Sequence, residues 1–391
     1  MKLLTRVWMS FNQSFLPILI LFFLAVLVVT LQSWLLEPKL VNEILYPQYQ
    51  NYIIFKQSFF HLVNNLDLYH SYPNEQWDLY KYSPTFSLLF APMAILPDIL
   101  GLFIWNGLNA LLLLFAIKLM PSFDQKTKIA MLLFVLIELV TSMQNAQSNG
   151  LMVGLILLGF CLFERGLFFV GIFCIVLTAF IKVYGILALG LLLFYPNKFK
   201  LAFYTLLSVA ILLALPLLVV SSSQLIFLYK SWWTLLQDDH SASYGLSVMG
   251  WLTSWFHVLP NKTIVSFVGL IFLVLPFLWW KRYSSYAFRV AWLASVLVWM
   301  VIFNHKAESP TFIIAVFGAV LWYYSKPFSK VDFILISLVF IFTILSPTDI
   351  FPNYIQDNFF DPYMIKVVPC VLCWGKIAYE AVFWREDRVA I

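Results

Sequence analysis

"FLPILILFFLAVLVVTLQSWLL" (residues 15–36) contains no charged side chain. A helix needs about 20 predominantly apolar residues to cross a bilayer, so this stretch is long enough to span one. It is too long for the apolar core of a signal peptide, and it lacks a cleavage site of the A-x-A type. The stretch therefore predicts a first membrane span that is retained in the protein.

Apolar stretches of similar length recur along the whole chain, which is 62% hydrophobic and only 11% charged. Soluble domains carry about 25% charged residues, so this composition excludes a soluble class. The pattern predicts one all-α domain over residues 1–391, a polytopic membrane protein with about twelve transmembrane helices. The predicted spans are residues 15–36, 99–119, 129–143, 149–163, 167–181, 183–195, 201–220, 263–280, 285–303, 309–324, 332–346 and 366–384. Residues 84–97 and 248–259 predict half-helices, and residues 166–194 could form one broken helix or two.

The distribution of basic residues predicts how the spans are oriented in the membrane. When the N-terminus is placed in the cytoplasm and the spans alternate, most lysines and arginines lie in the cytoplasmic connections, as the positive-inside rule requires. Both termini are then predicted to be cytoplasmic, and three long loops, residues 37–98, 221–262 and 347–365, to lie on the extracytoplasmic face. The basic residues are scattered through short loops, which indicates no nucleic-acid partner. One-sided loops favour an enzyme over a transporter, which needs polar groups at mid-membrane.

The first long loop holds "NNLDLYHSYPNEQWDLYKYSP" (residues 64–84), which is rich in acidic residues and tyrosines. The preceding residues 52–65 predict an amphipathic helix along the membrane surface. Asp67 follows this helix, where a general base would meet an acceptor hydroxyl or a lipid headgroup. The alternative is that Asp67 caps a helix or solvates the loop. Glu75 and Asp78 are interpreted as solvated loop charges.

Two lysines are candidates to bind a phosphate. Lys81 precedes the 84–97 half-helix, whose N-terminal amides could help it hold an anion. Its alternative role is that of a snorkelling lysine in an aromatic belt. Lys182, in "AFIKVYG", lies near the outer end of a predicted span, where a charge is costly unless it is paired or reaches water. Snorkelling is again the alternative.

Two further outer segments contain histidines. "LLQDDHSASYG" (residues 235–245) places His240 beside two aspartates, and we interpret it as a sugar-contacting or solvated segment. A divalent metal site is the alternative, although the spacing fits no strong ligand motif. "FNHKAESP" (residues 303–310) places His305 and Lys306 in a short turn, where they could neutralise a leaving phosphate or be ordinary turn charges. No metal site is predicted.

These candidate cations and the candidate base all map to one face of the membrane. A base and cations at an interface fit the transfer of a group away from a lipid-linked phosphate. The cations would stabilise the negative charge that grows on the phosphate, and the base would deprotonate the acceptor hydroxyl.

Three ordered segments resemble glycosyltransferase family 87: "DLYHSY" with "YKYSPTFSLLFAPMAILP" (residues 67–72 and 80–97), residues 145–194, and "HSASYGLSVMGWL" (residues 240–252). The resemblance covers about residues 15–325. The family comprises membrane enzymes of the GT-C class that use sugars on polyprenyl phosphates, mannosyltransferases among them. The resemblance therefore implies a GT-C fold, a hexosyltransferase activity, and a location in the bacterial inner membrane.

The resemblance also implies roles for individual residues. A D-x-Y motif would supply Asp67 as general base. Ala146 stands where the family usually has the glycine of G-Q-x-N, and Lys182 is followed by Val-Tyr-Gly where a proline is usual. With the candidates from the residues themselves, the predicted substrate-binding set is Tyr69, Lys81, Tyr82, Gln147, Asn149, Lys182, His240, His305 and Lys306.

The sequence thus predicts a membrane glycosyltransferase that moves a sugar, with mannose as one candidate, from a polyprenyl-phosphate donor to a lipid or glycan acceptor on the extracytoplasmic face. No cofactor is predicted, and the partners are the donor, the acceptor and membrane lipids. The alternative is a flippase or transporter of lipid-linked sugars, which predicts repeat halves, broken mid-membrane helices and buried charge pairs. The sequence has no convincing internal repeat, which favours the enzyme.

Overall fold

Nearly all the regular structure in the computed structural model, which describes residues 15–238 and 243–383, is helical. The α-helices are α1 (Leu16–Leu35), α2 (Gln50–Val63), α3 (Pro84–Leu89), α4 (Ala91–Ala94), α5 (Asp98–Leu119), α6 (Gln125–Gln144), α7 (Asn149–Phe163), α8 (Phe168–Ile181), α9 (Lys198–Ala214), α10 (Ser222–Asp238), α11 (Val248–Phe256), α12 (Lys262–Val274), α13 (Tyr286–Ile302), α14 (Phe312–Tyr324), α15 (Lys330–Leu338), α16 (Asn353–Ile355) and α17 (Val368–Val382). Tighter 3-10 helices occupy Val183–Phe194, Leu215–Leu218, Leu275–Leu278, Trp280–Arg282 and Ser309–Thr311, and π-helices occupy Val339–Ile344 and Gln356–Phe360. The prediction of a helical protein is confirmed, apart from two strands of three residues each.

Several of the described helices are candidates to span a membrane. Four helical segments there are long and apolar enough to cross a bilayer: Leu16–Leu35, Asp98–Leu119, Gln125–Gln144 and Lys198–Leu218. The shorter apolar helices are Asn149–Phe163, Phe168–Ile181, Val183–Phe194, Lys262–Leu278, Tyr286–Ile302 and Ser309–Tyr324. Every predicted apolar segment contains helix, so the chain is a helical membrane protein, while the count of about twelve spans stays a prediction.

Helices α13 and α14 form the buried centre of the bundle. In α14 every residue from Phe312 to Trp322 is buried, and α13 is buried on nearly all sides. A helix that is apolar all round is stable only when other helices or lipid surround it. The turn between these two helices, residues 303–311, is therefore held at both ends by the core.

The three predicted long loops contain regular structure. Residues 37–98 hold α2, α3, α4 and an antiparallel hairpin of β1 (Lys39–Val41) and β2 (Ile44–Tyr46). The other two long loops hold α10 and α11, and α16 with a π-helix. The predicted half-helices are confirmed as short helices. This structure arises because backbone groups that leave water need hydrogen-bond partners.

The hairpin is the element that the sequence analysis missed. Its two turn residues, Asn42 and Glu43, have φ of 48° and 68°. Positive φ at both positions is characteristic of a type I′ turn, which usually announces itself with Asn-Gly or Asp-Gly. Glutamate at the second position removes that signal from the sequence.

A buried ion pair joins α6 to the segment that precedes α17. Lys366 Nζ donates to the two carboxylate oxygens of Glu138 at 2.9 and 3.0 Å, and both side chains are buried. Such a pair contributes little compared with an apolar pair, but a lone charge left behind is strongly destabilising. A buried charge pair is also a feature that the transporter alternative predicts.

We expect Lys366→Met to lower the free energy of unfolding by about 3–5 kcal/mol, because it leaves the Glu138 carboxylate buried without its partner. Denaturant titration of the purified protein in detergent measures the change. The double variant Glu138→Leu/Lys366→Met should recover most of the loss.

Lys376→Met is the matched control. Lys376 lies 3.2 Å from Glu380, which also pairs with Lys326 at 2.7 Å and so keeps a partner. A loss in Lys366→Met no larger than that in Lys376→Met would contradict the assignment of Glu138–Lys366 as the buried pair on which stability depends.

Candidate active site

A cavity of about 470 Å³ gathers most of the polar segments that the sequence analysis identified. Its walls come from the first long loop, the turn before α7, the break after α8, the segment before α11 and the turn between α13 and α14. The lining residues are Asn51, Ile54, Asp78, Leu79, Lys81, Tyr82, Gln147, Ile181, Lys182, Val183, Tyr184, Leu236, Ser243, Gly245, Asn304, His305, Lys306, Ala307, Glu308 and Thr311. Six of the predicted site residues therefore lie around one space: Lys81, Tyr82, Gln147, Lys182, His305 and Lys306.

Lys182 lies where a helix breaks. Helix α8 ends at Ile181 because Lys182 takes an extended conformation (φ −136°, ψ 120°), and a separate 3-10 helix follows. Residues 166–194 thus form two helices, the second of two arrangements that the sequence left open. Lys182 Nζ donates to Asn149 Oδ1 at 2.7 Å and to Gln147 Oε1 at 3.2 Å. No carboxylate of residues 15–238 and 243–383 lies within ion-pair distance of this Nζ, so neutral amides hold the positive charge.

The turn before α7 presents these two amides. Ala146 has a φ of 48°, a left-handed conformation that glycine adopts more easily. Its N–H donates to Met143 O at 2.8 Å, and Gln147 N–H donates to Ser142 O at 3.1 Å. The tight turn therefore forms although alanine replaces the glycine that the resemblance led us to expect.

Gln147 and Asn149 also connect the cavity to the turn between α13 and α14. Asn149 Nδ2 donates to Gln147 Oε1 and to Pro310 O, both at 2.9 Å. Gln147 Nε2 donates to Glu308 Oε2 at 2.7 Å. The amide pair thus links the Lys182 ammonium to the Glu308 carboxylate, and it fixes both relative to the core.

The tyrosine-rich loop supplies another wall. Tyr69 Oη donates to the Tyr82 backbone carbonyl at 3.0 Å, while Lys81 Nζ pairs with Asp78 Oδ2 at 2.9 Å. Ser83 caps α3 by accepting from Phe86 N–H, with Pro84 in the first turn as predicted. Burial raises the pKa of the Tyr82 phenol far above its ordinary value, so this phenol stays neutral.

The segment before α11 packs directly against the His305 turn. Gly245 has a φ of 53°, and a Cβ at this position would lie 2.5 Å from the His305 backbone oxygen. Leu246 N–H donates to Ala307 O at 2.9 Å. Only glycine satisfies both the backbone conformation and the close approach here.

Asp67, the predicted general base, does not line the cavity. Its carboxylate accepts from Ser231 Oγ of α10 at 2.9 and 3.0 Å and from Tyr69 N–H at 3.1 Å. Tyr69 then contacts Tyr82, which does line the cavity. Asp67 is thus connected to the cavity wall through Tyr69 and does not face the cavity.

His240 lies outside the described residues, as does the neighbouring Asp239. Across residues 15–238 and 243–383, no group of three or more His, Cys, Asp and Glu side chains is placed to hold a metal ion. The cavity itself offers ammonium, imidazole and amide groups, together with two carboxylates.

Fourteen of the twenty described lining residues were not assigned to the site from the sequence, and four of them carry polar groups that bear on its chemistry. Asn51, Asp78, Tyr184 and Glu308 border the cavity, and the Tyr184 hydroxyl is buried without a hydrogen-bond partner among the described residues. Asp78 is exposed, as predicted, yet it lines the cavity beside Lys81. Asp78, Tyr184 and Glu308 each lie within three residues of a predicted site residue, whereas Asn51 has no such signal in the sequence.

The cavity combines charges that suit the transfer of a group from a phosphate. Lys81, Lys182, His305 and Lys306 can stabilise negative charge on an oxygen, and Asp78 and Glu308 can accept a proton. A sequence model of glycosyltransferase family 87 matches residues 80–304, more than half of the chain. The chain belongs to glycosyltransferase family 87. No curated protein matches it.

Membership in family 87 confirms the resemblance seen in the sequence and implies a membrane glycosyltransferase. The matched range contains the α8 break, the amide turn and Gly245. Asp67, Asp78, His305 and Glu308 lie outside it, so the match does not bear on their roles.

We expect Gly245→Ala to lower the melting temperature of this family 87 protein more than Gly166→Ala does. Both glycines have positive φ, 53° and 75°, but a Cβ at Gly166 meets nothing within 4 Å. The left-handed conformation costs about 1–2 kcal/mol in either variant, and only Gly245→Ala adds a clash with the His305 turn. Equal melting temperatures would show that the close approach at Gly245 does not constrain the site.

Proposed function

We propose that the chain transfers a sugar from a polyprenyl-phosphate donor to a lipid or glycan acceptor on the extracytoplasmic face of the bacterial inner membrane, with both termini in the cytoplasm. Mannose is one candidate for the sugar. The excess of basic residues in the predicted cytoplasmic connections supports the orientation. A donor that partitions into the bilayer explains why the enzyme is itself a membrane protein.

The observation that carries the proposal is the partly buried Lys182 ammonium, which amides hold at the edge of a cavity that Lys81, Lys306 and His305 also line. In the transfer, the acceptor oxygen forms a bond to the anomeric carbon, and the bond from that carbon to the donor phosphate oxygen breaks. The polyprenyl phosphate leaves with the bonding electrons. Cations fixed near the leaving oxygen stabilise that charge in the transition state without reorganising.

The acceptor hydroxyl also needs a base. The sequence nominates Asp67, whose carboxylate is occupied by Ser231 and the Tyr69 N–H. The geometry favours Asp78, because it is exposed and lines the cavity, whereas Asp67 does not, although the Asp78 carboxylate also has partners, the Leu79 N–H and Lys81. Glu308 also lines the cavity, but one of its oxygens accepts from Gln147. We propose Asp78 as the base and Asp67 as a residue that positions the tyrosine loop.

The flippase alternative keeps two supporting observations, the buried Glu138–Lys366 pair and the helix broken at Lys182. Both have a role in the enzyme as well, since the pair ties α6 to the α17 segment and the break brings Lys182 to the cavity. Family 87 membership favours the enzyme.

We expect Lys182→Met to lower kcat/KM for sugar transfer by about 10²–10³-fold, the usual effect of removing one electrostatic stabiliser of the transition state. Lys182→Arg, which keeps the charge, should retain more activity. The assay is transfer of radiolabelled sugar from a panel of polyprenyl-phosphate sugars in liposomes supplied with membrane glycolipids.

Lys230→Met is the matched control for charge, since Lys230 is exposed on α10 and does not line the cavity. Movement of the labelled donor across the bilayer with no covalent product would support the flippase and overturn the proposed function. Wild-type transfer rates in Lys182→Met would refute the role of this lysine.

A second comparison identifies the base. We expect Asp78→Asn to lower kcat by about 10²–10⁴-fold, because an amide cannot accept the proton. Asp67→Asn should have the smaller effect, because its amide oxygen can still accept from Ser231 and Tyr69. The larger loss in Asp67→Asn would return the assignment to the residue that the sequence nominated.

A further inference from the structure

A second cavity, of about 310 Å³, lies beside the cavity of about 470 Å³ in the candidate active site, which we call the reaction cavity. The second cavity, which we call the amide cavity, has a different chemistry. It is enclosed by the end of α1, the β-hairpin, the start of α2 and the end of α6. Six of its lining residues carry amide side chains: Gln32, Gln48, Gln50, Asn51, Gln144 and Asn145. The remaining ones are Ser33, Leu36, Lys39 and Trp77.

One of these amides is buried with an unused donor. Gln50 is only 1% exposed, and its Oε1 accepts from Trp77 N–H at 3.3 Å. Its Nε2 is buried and has no hydrogen-bond partner among the described residues. A buried polar atom without a partner costs about 1–3 kcal/mol. A ligand in this cavity that accepts from Nε2 once the Gln50 amide turns towards it would remove that cost.

Hydrogen bonds fix the other amide side chains in place and use only some of their donors and acceptors. Gln48 Nε2 donates to Glu37 O at 2.8 Å, and Asn51 Nδ2 donates to Asn145 O at 2.8 Å. Gln144 Nε2 donates to the Gln32 side-chain oxygen at 2.9 Å. An amide has two donor hydrogens and an oxygen with two lone pairs, so each side chain retains groups that can bind a ligand.

Trp77 gives the cavity an aromatic surface. The ring is 39% exposed, and Lys39 Nζ lies 5.6 Å from its centroid. Among the described lining residues Lys39 is the one charged side chain, whereas three lysines and a histidine line the reaction cavity. Such a lining suits a neutral ligand that has many hydroxyls and an apolar face, since hydroxyls both donate and accept. A sugar ring has this chemistry.

Asn51 lines both cavities. A molecule in the amide cavity would therefore reach the reaction cavity past this side chain. A volume of about 310 Å³ is at the lower end of the 300–1,000 Å³ that is usual for small-molecule sites. That space suits a single sugar unit better than a long glycan or a lipid tail.

We infer that the amide cavity binds a neutral hexose unit of the acceptor, so that the acceptor is a glycan or glycolipid whose next hydroxyl enters the reaction cavity. The inference rests on the proposed function, and it narrows the acceptor to a molecule that already carries sugar. Gln50, Gln144 and Trp77 are its binding residues.

The test is binding of methyl hexosides to the purified protein in detergent, measured by saturation-transfer NMR titration. The panel contains methyl α-mannoside, α-glucoside and α-galactoside, with glucuronate as the charged comparison. We expect binding of at least one neutral hexoside and a preference for it over glucuronate. Gln144→Ala and Trp77→Ala should each weaken that binding about fivefold or more, the effect of about 1 kcal/mol of lost interaction.

Two controls keep the test specific. Gln224→Ala and Trp233→Ala remove an amide and an exposed indole from α10, outside both cavities, and should leave the hexoside affinity unchanged.

Gln50→Met removes the buried amide but keeps its volume. It should abolish binding with little change in the melting temperature, because loss of the long hydrogen bond from Trp77 N–H is offset by removal of the unpartnered Nε2.

Binding of a polyprenyl monophosphate, titrated in parallel, separates this inference from the proposed function. If the protein binds the polyprenyl phosphate but no neutral hexoside, or if the three cavity variants bind hexosides like the wild type, the inference fails while the proposed function stands. If it binds hexosides through the amide cavity but neither binds nor uses the polyprenyl phosphate, the proposed function fails.

Discussion

The placement of one lysine in apolar surroundings constrains the whole site. Lys182 follows an apolar helix and precedes another, so its ammonium cannot remain there without polar partners. The amides of Gln147 and Asn149 meet this requirement, and they do so from a turn that Ala146 must bend through left-handed backbone. The break in the helix, the left-handed turn and the amide pair thus together give the Lys182 ammonium its polar partners.

The two amides, Gln147 and Asn149, also connect Lys182 to the opposite wall of the cavity. Gln147 contacts Glu308, and Asn149 contacts the Pro310 carbonyl, in the turn between the two most buried helices. Because α13 and α14 are enclosed on nearly all sides, this turn cannot shift without disturbing the core. A phosphate-binding site gains from such support, since preorganised charges need not move as the reaction proceeds.

The sequence predicted the helical membrane class because hydropathy is a local property that each segment carries by itself. It also predicted that Lys81, Lys182 and His305 share a face, since alternating spans sort the connections into two sets. It could not show which acid faces the cavity. Asp67 and Asp78 lie in the same loop, and only the folded structure distinguishes them, since Asp67 accepts from the distant Ser231 while Asp78 lines the cavity.

The sequence predicted neither the hairpin, whose turn lacks the usual signal, nor the amide cavity. The six amides come from α1, the start of α2 and the end of α6, which are far apart in the chain, and each looks like an ordinary polar residue at a helix end. The helices bring them together only because they pack side by side.

The two cavities divide recognition between two kinds of chemistry. A leaving phosphate is stabilised by fixed positive charge, whereas a neutral sugar gains specificity from groups that both donate and accept, and a wrong partner leaves such groups unpaired. Further lysines beside Lys39 in the amide cavity would favour anions there, and the amide cavity would then compete with the donor site. In the function that we propose, the amide cavity would select the acceptor and the reaction cavity would retain the donor phosphate, and Asn51 is the one described side chain that lines both.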